Sequence, residues 1–214
     1  VYGGTASGVM AALAAHKEGS KVILVEPTRC LGGMTGGGIN HLDWGKGETV
    51  GGSTYKILME GLKEQKRAHG GHAKHGIGNK QYRERFKKLV EDQGITVIYD
   101  HRVGKVQVGD ETFSKPTRQK PIAMGEKIPS KNKNNSIQSI FLDYAPVDET
   151  GCPIPEPKKR NVITVSAKVF IDCSYEGDLL SMSGVRYTWG RESREHYDES
   201  RAGVRPSLWL HDID

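Results

Sequence analysis

The chain has 214 residues and a formal net charge of +5, from 31 lysines and arginines against 26 aspartates and glutamates. No stripe of basic residues interleaved with aromatic ones appears, so the charge gives little support to a nucleic-acid-binding surface. Three scattered cysteines without C-x-x-C spacing argue against a disulfide framework or a zinc site, and no run approaches the roughly 18 apolar residues of a membrane helix.

Neither end of the chain has the character of a natural boundary. The sequence begins without methionine, and Val1 and Tyr2 look like the last residues of a strand. It stops at Asp214, soon after the apolar residues 208–210. We therefore expect a piece of a longer protein, and the sequence predicts no cellular location and no oligomeric state.

The first predicted elements alternate between strand and helix. A glycine-rich turn at residues 3–8 follows the strand end and leads into a predicted helix over residues 7–18. The small apolar residues of this helix indicate close packing on a sheet. Residues 21–26 (KVILVE) form a short β-branched run that predicts a buried parallel strand. Strand, turn, helix and strand in this order predict a βαβ unit.

The later elements are more widely spaced. Residues 27–52 predict a glycine-rich loop, and apolar periodicity predicts amphipathic helices at residues 53–68 and 80–92. A short helix is predicted at residues 177–183. The predicted strands cover residues 95–99, 102–108, 136–143, 162–166 and 168–172.

These elements predict an α/β fold, a Rossmann-like domain with a parallel central sheet and a smaller β-rich insertion. Residues 1–108 would form the first part of the domain, and residues 109–161 the insertion, with irregular loops and a strand. Residues 162–214 would continue the domain and begin a substrate-side region. The polar stretches 109–135 and 148–160 lack periodicity, which is why the insertion is predicted there.

The glycine-rich turn has the position of a dinucleotide fingerprint. Gly3 permits the tight turn, Gly8 lets the helix pack closely on the strand, and the helix N-terminus offers N–H groups to a pyrophosphate. Thr5 stands where the G-x-G-x-x-G pattern has its second glycine. Its hydroxyl could bond a phosphate, although its Cβ limits how closely the backbone approaches. On this turn alone, an ordinary strand-to-helix turn remains open as well.

An acidic residue follows at the spacing that an adenosine site requires. Glu26 ends the second predicted strand, 18 residues after Gly8. At this position a carboxylate binds the ribose hydroxyls of an adenine nucleotide. The same carboxylate disfavours a 2′-phosphate, which argues against NADP.

The next segment carries a resemblance to a known family. Residues 27–35 (PTRCLGGMT) resemble the R-x-x-G-G-x-[ST] segment of flavoproteins with the glutathione-reductase type of FAD fold. Residues 32–52 and 167–184 are similar to the GGMTSGGL-like loop and IDATYEGDL-like strand end of a family of FAD-dependent oxidoreductases, as is the stretch 184–204. The resemblance covers nearly all of the chain outside residues 109–135. It implies FAD as the cofactor and hydride transfer between an unidentified small-molecule substrate and the flavin.

The resemblance also implies which residues meet the cofactor, grouped by the part of FAD that they face. Those facing the pyrophosphate would be Gly3, Thr5, Ala6, Ser7 and Gly8. Those at the adenosine ribose would be Glu26, Pro27 and Thr28, with Val103 meeting the adenine through its backbone. Those along the pyrophosphate and the ribityl-flavin side would be Arg29, Gly32, Gly33, Met34 and Thr35. A last group near the nucleotide would be Asp172, Cys173, Ser174, Gly177 and Asp178.

Two other functions remain open from the residues themselves. One is an NAD-dependent dehydrogenase, and the other is a non-catalytic basic module that binds nucleic acid through residues 115–160. No catalytic residue is assigned. Three residues after the glycine-rich loop could face the flavin or the substrate, or have structural roles: His41, Asp43 and Trp44. Three histidines suggest a metal, but their glycine-rich setting favours a solvated loop: His69, His72 and His75.

Overall fold

A computed structural model of the protein describes residues 1–37, 51–53, 55, 57, 79–116, 136–185, 187, 193–200 and 202–203. The helices of this part are α1 (Ala6–Lys17), α2 (Gly33–Gly37), α3 (Asn79–Asp92), α4 (Asp178–Met182) and α5 (Arg194–Tyr197). The strands are β1 (Ile23–Glu26), β2 (Thr96–Tyr99), β3 (His101–Val108), β4 (Glu111–Phe113), β5 (Ile137–Tyr144) and β6 (Lys159–Ser166). None of these helices has the length and apolar character needed to cross a membrane.

The parallel part of the fold contains the predicted βαβ unit. Strands β1 and β2 pair in parallel, and Tyr2 forms parallel bridges with Val25 on one side and Asp172 on the other. The N–H of Gly3 donates to the carbonyl of Val25 at 2.8 Å, and the N–H of Cys173 donates to the carbonyl of Tyr2 at 2.7 Å. The chain end at Tyr2 therefore lies between β1 and the segment around Asp172.

Helix α1 confirms the helix predicted at residues 7–18. Thr5 is its N-cap, and the chain leaves the helix at Glu18 before a left-handed glycine, Gly19. The small residues Val9 and Ala12 are completely buried, as close packing requires. They belong to a core formed with β1 and α3, in which Phe86 is 3% exposed.

The parallel central sheet was only partly correct as a prediction. Strands β4, β3, β5 and β6 form an antiparallel sheet in that order, separate from the parallel pair. The connection of β3 to β4 is a tight turn at Gly109, whose φ is +56°. So short a connection joins only antiparallel strands, because parallel neighbours need a crossover of a dozen or more residues. This sheet takes strands from all three predicted segments, and the predicted domain boundaries stay predictions.

Four local predictions need comment. The predicted loop at residues 27–52 contains helix α2, which a sequence with three glycines among five residues concealed. The predicted strand at residues 168–172 is reduced to the single bridge between Asp172 and Tyr2. Most of the helix predicted at residues 53–68, and most of the polar stretch 109–135, lie outside the described residues.

Candidate cofactor site

The glycine-rich turn packs against the segment that follows the bridge at Asp172. A Cβ built on Gly3, whose φ is +91°, would lie 2.6 Å from the backbone nitrogen of Ser174. A Cβ built on Gly8 would lie 1.8 Å from the carbonyl oxygen of Gly3 and 3.2 Å from the Cβ of Cys173. No side chain fits at either glycine, so α1 begins directly against the strand end and against the segment that follows Asp172.

Thr5 uses its hydroxyl to hold this junction together. Its Oγ1 accepts from the N–H of Gly8 at 3.1 Å and donates to the carbonyl of Cys173 at 2.8 Å. A hydroxyl has one proton, so the Ser7 hydroxyl, 2.9 Å away, must donate to Thr5. With these contacts the Thr5 proton is already given to Cys173, and a phosphate would meet Thr5 through its backbone.

Glu26 connects the turn to the loop that follows β1. Glu26 is 6% exposed, and its Oε2 accepts from the N–H of Gly4 at 2.6 Å. Oε1 accepts from the N–H of Thr28 at 2.7 Å and from its hydroxyl at 2.6 Å. Burial raises the pKa of Glu26, while the hydrogen bonds from Thr28 and Gly4 act in the opposite direction. The carboxyl group thus lies buried at the end of β1, next to the turn.

The two consecutive glycines bring the loop onto the turn. The N–H of Gly32 donates to the carbonyl of Gly4 at 2.8 Å, and a Cβ on Gly32 would lie 2.3 Å from the ring of Phe86. Gly33 follows with a φ of +52° and begins α2, and Met34 is 52% exposed. The exposed Met34 therefore lies beside the predicted pyrophosphate-binding residues.

Arg29 contacts a partner that the sequence did not suggest. Its guanidinium forms a salt bridge with Asp100, with Nη2 2.8 Å from Oδ2, and Nε donates to both carboxylate oxygens. Asp100 directly follows β2 and has a left-handed φ of +59°, which aspartate tolerates better than most residues. An acidic residue just after an apolar strand, at the same sheet end as Glu26, is the pattern that could have revealed it.

The segment after Asp172 is held by its own side chains. Oδ1 of Asp172 accepts from the N–H and the hydroxyl of Ser174 at 2.9 and 2.7 Å, and Oδ2 accepts from the N–H of Leu180 at 2.7 Å. The Ser174 oxygen in turn accepts from the N–H groups of Gly177 and Asp178 at 3.0 and 3.2 Å. Asp172 and Ser174 therefore shape the turn that presents residues 173–178 to the glycine-rich turn.

Tyr2 links this segment to the antiparallel sheet. Its hydroxyl donates to Oδ2 of Asp178 at 3.3 Å and accepts from the N–H of Val103 at 3.3 Å. Burial is the main cause that raises the pKa of Asp178, followed by the nearby Glu176. The N–H of Val103 is thus already bound to Tyr2. A contact between the Val103 backbone and the adenine stays a prediction.

The structure brings most of the predicted site residues together. The turn at residues 3–8, Glu26, the loop at residues 28–34 and the segment 172–174 are joined by direct contacts. Among the described residues, the hydrogen bond that connects Val103 to them is the one to the Tyr2 hydroxyl. Pro27 and Thr35 border these segments, and neither makes a side-chain hydrogen bond among the described residues. Residues 41, 43, 44, 69, 72 and 75 lie outside the described part, and within that part no cluster of three metal-ligating side chains occurs.

Comparison with known proteins identifies the family. The family model described as FAD dependent oxidoreductase matches residues 1–124 and 154–213. The chain belongs to this family. Its members are FAD-dependent flavoproteins, so FAD is the cofactor and the protein is classed with the oxidoreductases. No curated protein matches the chain.

The arrangement of these residues fits the ADP half of FAD. The junction at Gly3 and Gly8 leaves no room for a Cβ, which is the close helix-to-strand approach that a dinucleotide turn needs. A buried carboxylate, Glu26, lies at the end of the adjacent strand. Together they place a tightly packed helix-opening turn and a buried carboxylate on neighbouring parallel elements.

Proposed function

We propose that the chain binds the ADP half of FAD across the glycine-rich turn, Glu26 and the loop at residues 28–35, and that the protein transfers hydride between a small-molecule substrate and the flavin. The observation that supports this most strongly is the junction of Gly3, Gly8 and Ser174, where no Cβ fits. It sets the start of α1 beside the strand end, as a diphosphate site requires. When bound, FAD supplies the hydride chemistry, and the protein supplies binding and orientation.

Glu26 would receive the adenosine ribose. Oε1 already accepts two hydrogen bonds from Thr28, whereas Oε2 accepts one from Gly4. Oε2 therefore has capacity left for a ribose hydroxyl, which is a donor, as an ionised carboxylate prefers. The contact with Gly4 would also couple the ribose position to the turn that faces the pyrophosphate.

Arg29 would contribute positive charge at the edge of the site. The bonds with Asp100 use Nε and Nη2, and the side chain is 62% exposed. A guanidinium has five N–H donors, so the group can pair with Asp100 and also present donors to a phosphate oxygen. We propose that Asp100 fixes where that charge stands.

The family assignment favours FAD over NAD, and no contact among the described residues favours the nucleic-acid alternative. The proposal specifies the substrate only as a small molecule and assigns no residue that acts on it. His41, Asp43 and Trp44 stay predictions for that side of the flavin, since they lie outside the described residues.

Equilibrium binding of three ligands tests the proposed site. FAD contains the ADP half and the flavin. NAD contains the ADP half with a nicotinamide riboside in place of the flavin, and FMN contains the flavin, the ribityl chain and one phosphate but no adenosine. We expect FAD to bind, NAD to bind more weakly and FMN to show no measurable binding.

Glu26→Gln should weaken FAD binding, because the amide NH2 of glutamine is a donor and would face the N–H groups of Gly4 or Thr28, which donate to the carboxylate. Glu91→Gln, on exposed α3 surface, is the matched control. Binding of FMN as tight as that of FAD would contradict the assignment of the adenosine site.

A further inference from the structure

Tyr175 reaches the cofactor loop from the other side of the site. The N–H of Met34 donates to the Tyr175 hydroxyl at 2.9 Å, although the two residues are 141 positions apart. A Cβ on Gly33 would lie 2.3 Å from the same hydroxyl oxygen. The phenol therefore lies directly over the two residues that the family resemblance places beside the pyrophosphate and ribityl chain.

The position of Tyr175 is fixed by its own turn. It follows Ser174 and precedes Gly177, and Ser174 is bonded both to Asp172 and to the N–H groups of Gly177 and Asp178. The same turn lies against Gly3, since Ser174 leaves no room for a Cβ there. The turn thus holds one end of the tyrosine at the glycine-rich turn while its hydroxyl lies at Gly33.

The chemistry of the hydroxyl suggests what it is for. Tyr175 is 56% exposed, so much of its side chain is accessible to a ligand. Its oxygen accepts from Met34, and among the described residues no acceptor for its proton is recorded. A phenol O–H beside a predicted diphosphate site, whose proton has no acceptor among the described residues, can donate to an anionic oxygen, and such charge-assisted bonds are the stronger ones.

We propose that Tyr175 is a cofactor-binding residue whose hydroxyl donates to the flavin-side phosphate of FAD while it accepts from the N–H of Met34. This rests on the proposed function. Tyr175 then joins the segment after Asp172 to the loop at Gly33 through the cofactor itself. It also gives a reason for glycine at position 33, because any side chain there would displace the hydroxyl.

Binding of AMP, ADP and FAD by the full 214-residue chain tests the proposal. AMP carries the adenosine-side phosphate alone, ADP carries both phosphates, and FAD adds the ribityl chain and the flavin. Tyr175→Phe keeps the ring and removes the hydroxyl. Tyr55→Phe, which removes a hydroxyl from another partly exposed tyrosine, is the control.

We expect Tyr175→Phe to weaken ADP and FAD by about tenfold to a hundredfold, as for a lost hydrogen bond to a charged group. AMP binding should stay within about twofold of the parent, because AMP lacks the phosphate concerned. Equal weakening of all three ligands would mean a general structural role, weakening of FAD alone would mean a ribityl contact, and no change would mean no contact. Each of these overturns the proposal while the parent still binds FAD. A parent chain that binds none of the three contradicts the proposed function as well.

Discussion

Gly8→Ala is the smallest change that should open the junction between α1 and the strand end. The added Cβ would lie 1.8 Å from the carbonyl oxygen of Gly3, whereas ordinary contact begins at 3.4 Å. The start of α1 must therefore move by roughly 1.6 Å, or the Gly3 carbonyl must turn away from it. Neither neighbour can yield easily, because the obstructing atom is backbone and Gly3 is itself packed against Ser174.

The magnitude follows from two opposing effects. Forcing an extra methyl into a packed junction costs about 1–3 kcal/mol, and replacing glycine by alanine inside a helix returns up to about 1 kcal/mol. A net loss near 1–2 kcal/mol lowers the melting temperature of a chain of this size by roughly 2–8 °C. FAD binding should weaken as well, because the N–H groups at the start of α1 would no longer be positioned for the diphosphate.

The assay compares folding and FAD binding in matched variants. Circular dichroism follows the thermal transition, and quenching of flavin fluorescence gives the FAD dissociation constant. Gly51→Ala is the control, since a Cβ at Gly51 meets nothing within 4 Å. A Gly8→Ala protein that melts with the parent and binds FAD within about twofold of it would refute the close-packing explanation.

Three further outcomes are expected. Thr5→Ala should lose about 1–2 kcal/mol of stability in denaturant unfolding, because it removes the α1 cap and the bond to Cys173, and Thr5→Ser should restore most of it. Asp100→Asn tolerates the same left-handed backbone but releases the Arg29 guanidinium, so FAD affinity by fluorescence should fall by about threefold to tenfold, and an unchanged affinity would contradict the positioning role. Burial raises the pKa of Glu26 in the folded protein, so its contribution to stability is complete below the unfolded-state pKa and is lost as the pH rises through the folded-state pKa. The free energy of unfolding of the parent relative to Glu26→Gln should therefore decline as the pH rises across that range. Parallel pH profiles of the two proteins would count against this.

The local elements near the start of the chain could be predicted because their sequences carry their own reasons. A run of small apolar residues after the glycine-rich turn predicted α1, and a β-branched run ending in Glu26 predicted β1. The glycine positions predicted the tight turn, and the structure shows that Gly3 and Gly8 leave no room for a Cβ. In these cases the residues that determine each element lie close together in sequence, although Gly3 also packs against the distant Ser174.

What could not be predicted depends on contacts between distant residues. Periodicity marks β3, β5 and β6 as strands, but it does not say which strand pairs with which or in what direction, and the sheet is antiparallel. Helix α2 has no periodic apolar face, because its sequence is Gly-Met-Thr-Gly-Gly. The bonds of Asp100 to Arg29 and of Tyr175 to Met34 span 71 and 141 positions, and neither pair shares a motif.

The most direct test of the central claim is the absorption spectrum of the purified protein, followed by chromatography of whatever is released when it is denatured. We expect the absorption bands of oxidised flavin, their loss on chemical reduction, and release of FAD rather than FMN. A protein that is colourless as purified, and stays so after incubation with excess FAD and removal of the unbound cofactor, would contradict the assignment of the glycine-rich turn and Glu26 to an FAD site.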